Sequence, residues 1–129
     1  MITEDYVSFE TAKLLREKYF NEYCRTYYKK YHIGFNEIYN SPQLIDNQSL
    51  FEMGLGLSAP TLQMAMKWLR EVHDIAINIG WGEIFEDKFQ WWCIILNQKD
   101  GSILRESEYH ATYEEACEAA IKYCLENLI

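Results

Sequence analysis

Four cysteines, three histidines and several pairs of carboxylates are the residues of this 129-residue chain with chemistry suited to catalysis or metal binding, and their spacing limits that chemistry. Cys24, Cys93, Cys117 and Cys124 show no CxxC spacing, the usual mark of a zinc or redox pair. Cys117 and Cys124 fall on one helix face with Ala120 and Ile121 between them, which marks a core face. His32, His73 and His110 each stand alone in sequence, and His73 closes a helix, where an imidazolium complements the helix dipole. The pattern predicts no metal site and no cofactor. Gly56-Leu57-Ser58-Ala59-Pro60 approaches the Gly-x-Ser-x-Gly nucleophile elbow but lacks its final glycine and a strong strand before it. Gly54-Leu55-Gly56 lacks the third glycine and the lysine of a phosphate loop. Ser58 reads instead as a helix N-cap. The first turn after it holds no acidic residue, so Ser58 and Thr61 are the candidate anion-binding residues. Glu83, Glu86 and Asp87, and Glu106 and Glu108, fall in turns and on a strand face with nothing to suggest burial, and read as a solvated face. No catalytic residue can be named.

The aromatic residues give a stronger signal. Trp81, Trp91 and Trp92 gather with Phe85 and Phe89 in one short region. In a strand, adjacent Trp91 and Trp92 point to opposite faces, so at least one of them needs a cover other than the helix-facing core. The segment between Ser41 and Leu57, a second subunit or a partner protein would supply it, and Trp81, Phe89, Trp91 and Trp92 are the expected protein interface. Arg25 to His32 interleaves basic and aromatic residues as a base-stacking hairpin would. The favoured reading of that stretch is an amphipathic hairpin whose lysines blunt an exposed edge.

Charge and composition then set the class. Twelve Lys and Arg against 20 Asp and Glu give a net charge of −8, the wrong sign for a general nucleic-acid binder. With 49% hydrophobic and 16% aromatic residues the chain can offset the entropy of ordering its backbone, and its length suits one domain over residues 1–129. The first residues, Met1-Ile2-Thr3-Glu4-Asp5, carry acid where a signal peptide carries base, and no apolar run is long enough to span a bilayer. A cytoplasmic protein with free thiols and no membrane contact is expected.

The elements that must position these residues follow from periodicity. Ser8 caps a helix expected over Phe9 to Phe20. Arg25 to Tyr39 reads as a β-hairpin, and Ser41 to Leu57 as a long loop. A second helix begins at Ser58 and places Leu62, Met66, Leu69 and Val72 on one stripe. Ile75, Ile77 and Ile79 alternate as a strand that Gly80, Gly82 and the acidic residues break. Phe89 to Leu96 is apolar on both faces, as in a central strand covered on both sides. After the Gln98-Lys99-Asp100-Gly101 turn, Ile103 to Glu108 forms a third strand. Thr112 opens the last helix with a capping box to Glu115, and an apolar stripe runs to Leu128. The expected fold is α+β, a two-layer arrangement of one antiparallel sheet (hairpin plus three-strand meander) with three helices.

Three segments, Phe9 to Leu15, Ser58 to His73 and Tyr113 to Ala120, are similar to those of a family of small uncharacterised proteins from gut anaerobes and their prophage or mobile elements. The resemblance implies a small accessory protein and brings no activity, cofactor or site residue with it. The residues together favour a non-enzymatic accessory protein that binds another protein or itself. The alternatives are a small-ligand or anion-binding module, or an acidic phage-type inhibitor of a nucleic-acid-binding protein.

Overall fold

Ser8 begins the first helix as its spacing predicts: its Oγ accepts the Thr11 amide at 3.2 Å, and α1 (Phe9–Glu17) buries Thr11, Ala12 and Leu15. The computed structural model describes residues 2–31 and 34–129, and the side chains of all of these except 31 and 34–36; His32 lies outside the described residues. The helix stops short of the expected Phe20. Tyr19 takes a left-handed φ of 66°, its amide turns back to the Arg16 carbonyl, and the Phe20 amide to that of Leu15. This Schellman closure consumes two end carbonyls and seats Phe20 in the core.

The chain divides into two compact units, residues 1–61 and 62–129. Each is α+β, with two helices and one three-stranded antiparallel sheet. The expected single sheet with three helices is corrected to two sheets with four helices. The source of the difference is the stretch read as a loop, Ser41 to Leu57. The expected hairpin is present as β1 (Cys24–Tyr31) and β2 (Gly34–Ile45), longer than its aromatic pattern indicated. Pro42 sits in β2, an edge strand, where pairing with β1 jumps from Asn40 to Ile45; an edge irregularity is where a strand tolerates proline. A short helix follows, α2 (Asn47–Glu52), capped by Asp46, whose carboxylate accepts from the Ser49 amide at 2.7 Å and hydroxyl at 3.1 Å. Fewer than two turns are too short to show a 3.6-residue period. Gly54 closes α2 with φ 67° in a second Schellman turn, Leu55 N–H to Leu50 carbonyl.

β3 (Gly56–Ser58) then pairs with β1, making β1 the central strand of the order β2-β1-β3. Lys29 and Lys30 therefore do not blunt a free edge: Lys29 pairs with Gly56, and the Lys30 amide donates to the Leu55 carbonyl. At Gly56 a β-carbon would overlap the Tyr28 carbonyl oxygen, so the two strands meet there only because the residue is glycine. Asn47 ties the unit together from a fully buried position. Its Nδ2 donates to the Phe20 carbonyl at 2.9 Å and its Oδ1 accepts the Ser58 amide at 3.0 Å.

The second unit follows its sequence pattern closely. α3 (Leu62–His73) buries Leu62, Ala65, Met66, Trp68 and Leu69, while Val72, expected on that stripe, is exposed. Ser58 is not its cap: the helix begins four residues later, and Ser58 ends β3. β4 (Ile75–Phe85), β5 (Lys88–Asn97) and β6 (Ile103–Glu106) form the meander in the order β4-β5-β6. Gly80 and Gly82 do not break β4, whose pairing with β5 runs unbroken from Ile75 to Glu83. α4 (Tyr113–Asn127) starts at Thr112, whose Oγ1 accepts the Glu115 amide at 3.1 Å. It lies against α3, β4 and β5, burying Ala116, Cys117, Ala120, Ile121, Cys124 and Leu125. Ile75, Ile77, Cys93 and Ile95 are the buried, helix-side residues of the sheet.

Candidate functional site

The β4–β5 hairpin outruns its neighbour. β6 pairs with β5 only at Ile94 to Leu96, a backbone bridge from His110 reaches Trp91, and beyond it β4 and β5 continue as a two-stranded arm. The register sets Trp81 opposite Trp91 and Glu83 opposite Phe89. Because directly paired residues share a face, Trp81, Phe89 and Trp91 continue the helix-side face outward, past the buried Cys93.

The rings form a row. The Trp91 indole meets Tyr113, at the start of α4, edge-on at 5.4 Å. It lies 6.2 Å from Trp81, and Trp81 stacks on Phe89 at 4.9 Å with only 19° between planes. The outer rings are the open ones: Trp91 is half-buried, whereas Trp81 is 55% exposed, Phe89 48% and Phe85, nearer the tip, 66%. Trp92 points the other way, as the neighbour rule requires. Its indole lies over Gly80 and Gly82 and meets Tyr109 edge-on at 6.2 Å. Of the four residues expected at an interface, the fold leaves Trp81 and Phe89 open, half-buries Trp91 and seats Trp92 on the glycines. Phe85, which the sequence places in the same aromatic cluster, is exposed nearer the tip, past an irregularity in the β4–β5 pairing.

The arm ends in carboxylates. Asp87 turns the hairpin with φ 54°, and its amide donates to Glu83 Oε1 at 2.9 Å. Glu83, Glu86 and Asp87 are exposed around the aromatic row. They belong to the unit that holds most of the negative charge: residues 62–129 contain six Lys and Arg against twelve Asp and Glu, a net of −6.

The remaining candidates fall elsewhere. Ser58 is fully buried, with its amide held by Asn47 and its Oγ without a hydrogen-bond partner among the described residues. Thr61 is half-buried and bridges to Tyr6 in the sheet pattern. The four cysteines are buried free thiols. Burial pushes the thiols of Cys24 and Cys117 up to about 11 and that of Cys124 to about 12, and raises that of Cys93, so at neutral pH none offers a thiolate. His73 ends α3 as expected, but its ring packs edge-on against Trp68 at 4.7 Å. Burial lowers its pKa, opposed by Asp74, which disfavours the imidazolium expected to complement the helix dipole. Among the described residues no three His, Cys, Asp or Glu side chains gather where they could hold a metal ion.

The first unit holds a feature the sequence did not signal, a cleft of about 470 Å³ between α1, β1 and the α2–β3 turn. Lys13 and Arg16 reach it from α1 and Lys30 from β1, over a floor of Leu50, Phe51 and Leu57. These cations are 17 positions apart in sequence at their extremes, which is why no local motif exposes them.

No family model matches the chain, and neither a curated protein nor a solved structure does. No helix among the described residues is long and apolar enough to cross a membrane.

Proposed function

We propose that this protein works by binding another protein, without chemistry of its own, through the aromatic row on the β4–β5 arm. The observation that carries this reading is the open Trp81–Phe89 stack, with Phe85 also exposed on the arm. Exposed tryptophan and phenylalanine in a contiguous row offer the kind of side chains that dominate binding energy at interfaces, at about 2 kcal/mol or more each when they enter a desolvated pocket. Surrounding carboxylates choose the partner. A protein surface with aliphatic or proline side chains bordered by Lys and Arg satisfies both the rings and Glu83, Glu86 and Asp87, and the charge of the whole unit steers its approach. A basic protein that ordinarily holds nucleic acid belongs to this class. Resemblance of three helical segments to small proteins of gut anaerobes and their mobile elements agrees with an accessory role of this kind.

Selection of a displayed peptide library on the immobilised protein tests the reading. Enriched peptides should combine Lys or Arg with aliphatic residues or proline, shift the emission of Trp81 to the blue, and lose about tenfold or more in affinity against Trp81→Ala or Phe89→Ala. Enrichment of acidic peptides, or binding indifferent to both substitutions, would overturn it.

A further inference from the structure

The cleft of the first unit reverses the charge of the protein around it. Lys13, Arg16 and Glu17 are spaced i, i+3 and i+4 on α1 and so share one helix face. With Lys30 they place three cations and one carboxylate around the opening, on a chain of net charge −8. Neither Lys67–Glu71 nor Lys99–Asp74, ion pairs of the other unit, draws on these three cations.

Arg16 is held in place without being satisfied. Its guanidinium lies 4.8 Å from the centre of the Phe51 ring, and its Nη2 reaches Gln48 Oε1 at only 3.5 Å. Its Nε is buried with no hydrogen-bond partner among the described residues. A guanidinium carries five N–H donors and no acceptor, and a buried donor left unmade keeps the full cost of its lost hydration. The opening also carries an excess of positive charge, three cations against Glu17, and a bound anion would answer both. The nearby helix ends do not compete for this role, because the Leu15, Arg16, Leu50 and Phe51 carbonyls already accept from the closing turns.

The floor restricts the anion further. Leu50, Phe51 and Leu57 give an apolar base, which a bare inorganic ion would leave wet. A cavity of about 470 Å³ is of the size that takes a small organic molecule. We infer that this cleft is a binding site for an amphiphilic organic anion, whose apolar or aromatic body lies on Leu50, Phe51 and Leu57 while its carboxylate, sulfonate or phosphate head is held by Lys13, Arg16 and Lys30.

The test uses two fluorescent probes on the full chain, 8-anilinonaphthalene-1-sulfonate and its uncharged relative N-phenyl-1-naphthylamine. The sulfonate should bind one saturable site, and the Arg16→Gln/Lys30→Gln double variant should weaken it about tenfold or more while changing the neutral probe by no more than about twofold. Lys13→Gln, at an exposed position clear of the Arg16 contacts, should weaken the sulfonate in the same sense and guards against a folding defect in the double variant. Trp81→Ala should leave the sulfonate affinity unchanged. Absence of a saturable site, equal loss of both probes, or loss of the sulfonate in Trp81→Ala would overturn the assignment, the last because it would move the probe to the arm.

Discussion

Gly80 and Trp92 face each other across the β4–β5 ladder, and the indole lies so close that a β-carbon at position 80 would sit 2.5 Å from Trp92 Cε2. The glycine weakens the strand, and the indole laid over it restores the contact that a side chain would have made. Gly80→Ala is therefore expected to cost about 1–3 kcal/mol through overpacking. Trp92→Leu should cost stability by itself yet remove most of the penalty of Gly80→Ala, giving a coupling of about 1 kcal/mol or more in a urea-denaturation double-mutant cycle. Additive losses would show that the two residues do not act as a pair.

Asn47 makes a second prediction. Truncation to alanine removes the acceptor of the buried Ser58 amide, at about 1–3 kcal/mol, and one donor to the Phe20 carbonyl. Asn47→Ala should accordingly be among the more destabilising single changes, at about 2–4 kcal/mol in equilibrium unfolding. Asn47→Asp keeps the acceptor for Ser58 but loses the donor to Phe20 and buries a charge, so it should do no better. A loss below about 1 kcal/mol for the alanine variant would mean that water or local movement satisfies both groups.

The contrast between the two units explains what the sequence could and could not disclose. From Leu62 onward every element but β6 is long enough to show its period: the alternation of Ile75 and Ile77 and the stripe from Ala116 to Leu125 both reappear as buried faces. Before Leu62 the longer α1, β1 and β2 announce themselves, but the six-residue α2 and three-residue β3 that complete the unit do not. α2 and β3 are shorter than any period can reveal, and Asp46, Asn47, Gly54 and Gly56, which organise them, read only as loop residues. Ser58 misled for a related reason. Its type and the Pro60 that follows suit a helix cap, but the Asn47 acceptor 11 positions away holds its amide as the end of a strand. The arm was half legible, since two adjacent tryptophans announce opposite faces, whereas what covers each, Tyr113 for Trp91 and the glycines for Trp92, follows from the fold. Lys13, Arg16 and Lys30 converge only through the tertiary fold.

His73 predicts a pH dependence with a definite sign. Burial beside Trp68 lowers its pKa from the ordinary 6.5. As pH falls through 6.5 the unfolded chain takes up a proton on this residue before the folded chain does. Its contribution to stability is thus fully present above 6.5 and is lost as the pH falls from there toward the folded-state pKa. His73→Gln should flatten the stability profile in that window relative to wild type. Proton NMR of the native protein should place the His73 midpoint below 6.5, and a midpoint above it would reverse the sign.

Tyr19 links stability to the cleft. A bulky residue in the left-handed region costs about 1–2 kcal/mol that glycine avoids, and the ring, 85% exposed, returns little by packing. After allowance for the greater freedom of glycine in the unfolded chain, Tyr19→Gly should stabilise the protein by about 0.5–1 kcal/mol. Yet Tyr19 forms part of the cleft wall, and strained residues tend to be kept where they serve a site. The same variant should therefore melt later and bind 8-anilinonaphthalene-1-sulfonate more weakly, by about two- to fivefold, as contact with the apolar body is removed. If it gains stability with undiminished binding, the ring has no part in holding the anion, and the site reduces to the three cations and their apolar floor.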